Sequence, residues 1–233
     1  MIPTRIGLVS LSKKPTHAEL TKTAAALQKQ LTRDLGPIWN IEATIDFFPN
    51  IKSIPFGYWP IIIVDSLKHD DESGYHKDKN HLPYAVVKFG NGWQQTCSHE
   101  MCEMLVNPFL NKLATAPSPK AGQGKVQYVI EICDPCTDLS FAYHIDGISM
   151  SDFCTPNFFD NKKAKGVRYS FTGAITAPRH ILKKGTIYWH DPKTGKWFEQ
   201  SFNGSKKVIK NIVQRKSENL SLQSLFEHLA KRA

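Results

Sequence analysis

No run of apolar residues in this 233-residue chain approaches the roughly 18–20 needed to cross a bilayer. The longest compact one is Trp59-Pro60-Ile61-Ile62-Ile63-Val64. A membrane-spanning helix is therefore not expected. The first residues lack a basic stretch followed by an apolar one and a small-residue cleavage site, so no signal peptide is read and a cytoplasmic location is expected. Cysteine is sparse and odd in number, with Cys97, Cys102, Cys133, Cys136 and Cys154. That argues against a disulfide framework. Two close pairs could supply a zinc site made of four thiolates, but buried reduced thiols are the favoured reading. Phosphate-cradling glycine loops and a G-x-S-x-G elbow are also missing, which removes nucleotide-binding and serine-hydrolase plans.

Acidic residues are scarce in one region only. Residues 1–160 carry 14 basic and 17 acidic side chains, whereas 161–233 carry 16 and 4. The basic character belongs to the last third. No zinc finger, helix-turn-helix spacing or RNA-binding aromatic signature accompanies those lysines, so nucleic acid is not the favoured partner.

Periodicity gives an α+β chain. Residues 5–11 read as a strand, and Thr16-His17-Ala18-Glu19 as a capping box opening a helix over residues 16–34 that Gly36-Pro37 stops. Residues 41–47 alternate as a half-buried strand, and Ile61 to Val64 suit a strand buried on both faces. The polar stretch 68–80 reads as a loop whose His76 and His81 face solvent; residues 84–89 form the next strand and 93–113 a second helix. Residues 114–124 read as a loop and 126–133 as a strand. Hairpins are expected around Asp146-Gly147 and over 187–202, and an amphipathic helix over 220–231. The expected organisation is a site-bearing region, 1–160, with a β-rich basic extension, 161–233, packed on the same domain.

The residues most able to carry chemistry are Ser98-His99-Glu100-Met101-Cys102-Glu103, an H-E-x-x-E on a helix. His99 and Glu103 stand at i and i+4, one turn apart on one face, the separation at which two side chains can share a metal. Glu100 is placed to act as general base toward a metal-activated water. Met101, Met104, Leu105 and Val106 cover the remaining faces, and carboxylates on a buried helix need partners.

This segment resembles the zincin metallopeptidases, with Glu103 where their second histidine stands. The strand-helix-strand-strand-strand-helix order is similar to their half-domain, a mixed twisted sheet with a backing helix and an active-site helix. Gly74-Tyr75-His76 and the stretches 98–108 and 131–156 are also similar to a group of uncharacterised bacterial zincin-like proteins. The resemblance implies a metallopeptidase acting on a peptide or protein substrate, with residues 84–89 as the edge strand that holds it. Phe109 stands where the metzincin pattern would place a histidine. The third ligand is instead expected from Glu131, with Asp134, His144 and Asp152 as alternatives and Asp146 in reserve. The resemblance favours Zn²⁺; one histidine with two carboxylates suits Mn²⁺ or Fe²⁺ equally. The alternative function is a catalytically inactive binding module of the same fold, whose basic C-terminal region docks an acidic partner.

Overall fold

The computed structural model describes residues 3–69 and 72–212. The chain is α+β, and it divides into two compact units. The first holds residues 3–109 and 144–150, the second 110–143 and 151–212. The first of these breaks falls after residue 109, and the hairpin around Asp146-Gly147 is counted with the first unit. Among the described residues no helix is long and apolar enough to cross a membrane.

The first unit is built on a five-stranded sheet in the order β2-β1-β3-β5-β4, from β1 (Thr4–Ser10), β2 (Ala43–Phe48), β3 (Tyr58–Val64), β4 (Gly74–Lys79) and β5 (Leu82–Lys88). The first four strands in that order run parallel, and β4 closes one edge antiparallel to β5. The Ile/Val run of β3 lies at the centre, where Ile61, Ile62 and Ile63 are wholly buried. Each such side chain contributes roughly 1.5–3 kcal/mol relative to exposure. Strand β5, expected at the edge, is internal; the polar stretch read as a loop supplies the edge strand.

Register sorts the two faces. Leu8 pairs with Ile61, Ile61 with Ala85 and Ala85 with His76, so these four share one face, and Gly74, opposite Val87, joins them. On the other face Val9, Ile62, Val64, Leu67, Tyr84 and Val86 form a core capped by Ile51, Ile54 and Tyr75.

Helix α1 (His17–Lys29) begins at the expected capping box, with the Thr16 amide donating to Glu19 Oε2 at 2.8 Å and the Glu19 amide to Thr16 Oγ1 at 3.2 Å. Gly36-Pro37 does not stop it. A π-helical segment, Gln30–Leu35, leads directly into the short helix α2 (Gly36–Trp39), with Pro37 in its first turn. Gly36 is needed for closeness: a Cβ there would lie 2.7 Å from the Ile41 carbonyl oxygen and 2.8 Å from that of Leu31. The end comes at Asn40, in the left-handed conformation common past helix C-termini. Helix α3 (Trp93–Val106) is shorter than expected because Asn107 precedes Pro108, and a residue before proline disfavours helical backbone. A hairpin of β8 (Tyr143–Ile145) and β9 (Ile148–Met150) packs β9 on α1 and α3, with Asp146 and Gly147 both at positive φ as that turn pair requires.

The second unit is an antiparallel sheet in the order β12-β11-β10-β7-β6, from β6 (Leu113–Pro117), β7 (Lys125–Val129), β10 (Ile187–Asp191), β11 (Lys196–Asn203) and β12 (Lys206–Ile212). Strand β6 lies where residues 114–124 read as loop. Aromatic rings fill this unit: Trp189 sits 5.7 Å from Phe198 and 5.9 Å from Tyr128, centroid to centroid. The expected helix over 220–231 lies outside the described residues.

Candidate metal centre

Three carboxylate- or imidazole-bearing side chains of α3 meet one from β4. The sheet register turns His76 toward α3, and the i, i+4 spacing stacks His99 on Glu103. His99 Nε2 lies 3.2 Å from Glu103 Oε2, as the H-E-x-x-E spacing leads one to expect. His76 Nδ1 lies 3.8 Å from the same Glu103 oxygen and 3.5 Å from Glu100 Oε2. The ligating atoms of His76, Glu100 and Glu103 all fall within 4.8 Å of one another. His76, Glu100 and Glu103 are 6%, 5% and 3% exposed, so this is a buried group of ionisable side chains. His76 therefore departs from the solvent-facing position expected of it, because the strand carries it inward; His81 is exposed as expected.

Electrostatics decides what such a group needs. Two carboxylates this deep carry a desolvation cost that only a compensating cation or proton offsets. Burial by itself pulls the His76 imidazole down, but its hydrogen bond with Glu100 and the charges of Glu103 and Glu100 outweigh it and hold its pKa above the ordinary value. A divalent cation would balance both carboxylates at once, and imidazole with carboxylate is a donor set that binds such ions.

Neighbouring residues hold the arrangement in place. Gly74, two residues before His76 and on the same face, makes room: a Cβ there would stand 2.6 Å from Thr96 Cγ2 and 2.9 Å from Glu100 Oε1. Ser98 donates to Gln30 Oε1 at 2.7 Å, tying α3 to the π-helical segment. Met101 and Met104 are wholly buried beneath. Cys97 is buried too, and desolvation with the nearby Glu100 raises its thiol pKa well above the ordinary value, so it stays protonated.

The other expected ligands belong to other elements. Glu131 is half-buried just beyond β7, and Asp134 opens a 3-10 helix, Asp134–Cys136, both in the second unit. Asp152 is fully buried there, but both its oxygens are used: Oδ1 accepts from the Phe153 and Thr172 amides, each at 2.9 Å, and Oδ2 from the Thr172 hydroxyl at 2.7 Å. His144 and Asp146 are exposed on the β8–β9 hairpin, where Asp146 pairs with Lys29 at 2.5 Å. All five cysteines are buried thiols outside any disulfide, and none belongs to a metal-capable group among the described residues.

The residue that sequence reasoning missed is His76. Its signal was a glycine two positions earlier in a strand, the mark of a close approach by another element. No family model, curated protein or solved structure matches the chain, so its class is argued from fold and site alone.

Proposed function

We propose that this protein is a metal-dependent hydrolase, a metallopeptidase of zincin-like build, with its centre on the inward face of α3. The observation that carries the reading is the 3.2 Å approach of His99 Nε2 to Glu103 Oε2, with the buried carboxylate of Glu100 on the same helix. His99 and Glu103 are assigned as ligands and Glu100 as general base. A bound divalent metal would supply Lewis-acid stabilisation of the scissile carbonyl oxygen and lower the pKa of the attacking water. Glu100 takes the proton that water gives up and returns it to the departing amine, which conserves protons over the cycle. Support for an extended substrate comes from β4, an antiparallel edge strand whose outer backbone groups can receive another strand.

Elemental mass spectrometry on untagged protein tests the ligands. Near-stoichiometric metal lost in both His99→Ala and Glu103→Ala supports them. Metal retained in either variant would remove that residue from the assignment.

A further inference from the structure

We propose that His76, on the edge strand β4, is the positioning residue of the general base: its Nδ1–H anchors the Glu100 carboxylate beside Glu103. The inference rests on the reading above and gives His76 a task on the base rather than on the metal.

Distances single out Glu100. His76 Nδ1 lies 3.5 Å from Glu100 Oε2 and 3.8 Å from Glu103 Oε2, so the base is its nearer carboxylate. Ionised carboxylates only accept hydrogen bonds, and a nitrogen that faces two of them carries its hydrogen. At 3.5 Å the bond is long, as those of catalytic groups often are before substrate binds. His99 meets Glu103 through Nε2 at 3.2 Å, and among the described residues no metal-capable group holds both histidines. The two imidazoles therefore have separate tasks: His99 pairs with Glu103 as a ligand, and His76 serves Glu100.

Strand β4 meets both oxygens of that carboxylate. His76 faces Oε2, and Gly74, on the same face, leaves the room beside Oε1, where a Cβ would stand 2.9 Å away. A glutamate carboxylate has several rotamers to lose, and a contact at each oxygen selects among them. His76 is the buried member of a strand whose other residues are half-buried. With His76 at 6% and Glu100 at 5% exposure, their contact is shielded from water, where such a bond is stronger. The same strand is the one proposed to receive the substrate. A peptide added to its outer edge would run alongside the residue that holds the base, so substrate binding and base placement share β4.

The test compares His76→Asn, His76→Leu, Glu100→Gln and the double variant Glu100→Gln with His76→Leu against the natural chain. Zn²⁺ affinity is read by calorimetry, fold by circular dichroism, and kcat and KM on the best-cleaved member of a quenched-fluorescent peptide library. Asparagine sets an N–H near the place of Nδ1, whereas leucine fills similar space without a donor. His76→Leu should keep the natural metal affinity and KM and lose about 10–100-fold in kcat, the usual cost of removing a group that orients another. His76→Asn should recover most of that rate. In Glu100→Gln, where the base is already gone, adding His76→Leu should lower the rate no further. His76→Ala repeats the donorless case if leucine disturbs the fold.

Natural kcat in the donorless variants, or equal losses in them and in His76→Asn, would overturn the role of His76 while leaving Glu100 as the base. Metal lost from the His76 variants would also overturn it; lost from Glu100→Gln as well, it would make His76, Glu100 and Glu103 a cation site and remove Glu100 as the base. A natural chain that binds no metal, or hydrolyses no peptide, would overturn the functional reading itself and the role of His76 with it.

Discussion

The two units spend their polar residues in opposite ways. The first, over 1–109 and 144–150, carries 11 basic and 12 acidic side chains, and it buries His76, Glu100 and Glu103 together between strand and helix. The second, over 110–143 and 151–212, carries 15 basic and 7 acidic, a net of +8, and fills its interior with Tyr128, Trp189, Phe198, Phe158 and Tyr169. Its buried polar atoms serve the scaffold. Trp189 Nε1 donates to Gln123 Oε1 at 3.0 Å, Gln123 donates to Asp191 Oδ2 at 3.1 Å, and the Thr194 hydroxyl donates to that same oxygen at 2.8 Å. Those bonds hold the β10–β11 turn, so Asp191 is spoken for, whereas the carboxylates of α3 crowd toward imidazoles and one another. A buried acid surrounded by donors is architecture; two buried acids sharing imidazoles invite a cation.

That contrast can be broken at several points. The largest effect is expected at Glu103, the oxygen common to both imidazoles: Glu103→Ala should remove bound metal entirely, read by elemental analysis, whereas Asp191→Asn should leave metal content unchanged. Glu100→Gln comes next. It should keep its metal yet lower hydrolysis of a quenched-fluorescent peptide library by about 10²–10⁴-fold, the usual contribution of a general base. In the second unit Trp189→Ala should cost about 3–5 kcal/mol in urea unfolding, the ordinary result of emptying an aromatic core position. Gly74→Ala should cost about 1–3 kcal/mol and weaken metal binding together, because the new methyl meets Thr96 and Glu100. The smallest effect concerns Asp138, whose carboxyl the Lys184 ammonium at 2.7 Å and the Ser140 hydrogen bonds hold below the usual carboxylate range. With a folded pKa below the unfolded one, its stabilisation is present in full above the ordinary carboxylate range and is lost as pH falls toward the depressed value. Asp138→Asn should flatten that part of an acid-unfolding curve and leave neutral stability slightly reduced.

The basic character of the second unit bears on the alternative, a binding module. Lys120 and Lys196 line a recess of about 400 Å³ beside Phe198, with the Lys120 Nζ 4.4 Å from the ring centroid. If an acidic partner docks through these charges, its affinity must fall steeply with salt. Binding that is level from low to high salt would remove electrostatic docking.

Much of this was legible in the residues because local rules govern it. The Ile61–Val64 run needs burial on both faces and takes the centre of the sheet; Thr16 and Glu19 specify a helix start; Asp146-Gly147 specifies a hairpin; and His99 with Glu103 must share a helix face. What escaped depends on partners far along the chain. Strand β4 carries lysines and aspartate on an edge, so no apolar alternation marks it, and β12 hides behind Lys206, Lys207 and Lys210 for the same reason. His76 was invisible as a site residue because its inward direction is fixed by pairing with β5, not by its neighbours in sequence. Gly36-Pro37 misled because the π-helical segment moves the proline to a first turn.

The most direct test of a metal centre on α3 is the metal content of untagged protein, natural chain against His99→Ala and Glu103→Ala, by elemental mass spectrometry. The account predicts a nearly stoichiometric divalent metal in the natural chain and its loss in both variants. A natural chain that holds none, even after incubation with Zn²⁺ or Mn²⁺, would contradict it and leave H-E-x-x-E as the packing of one helix.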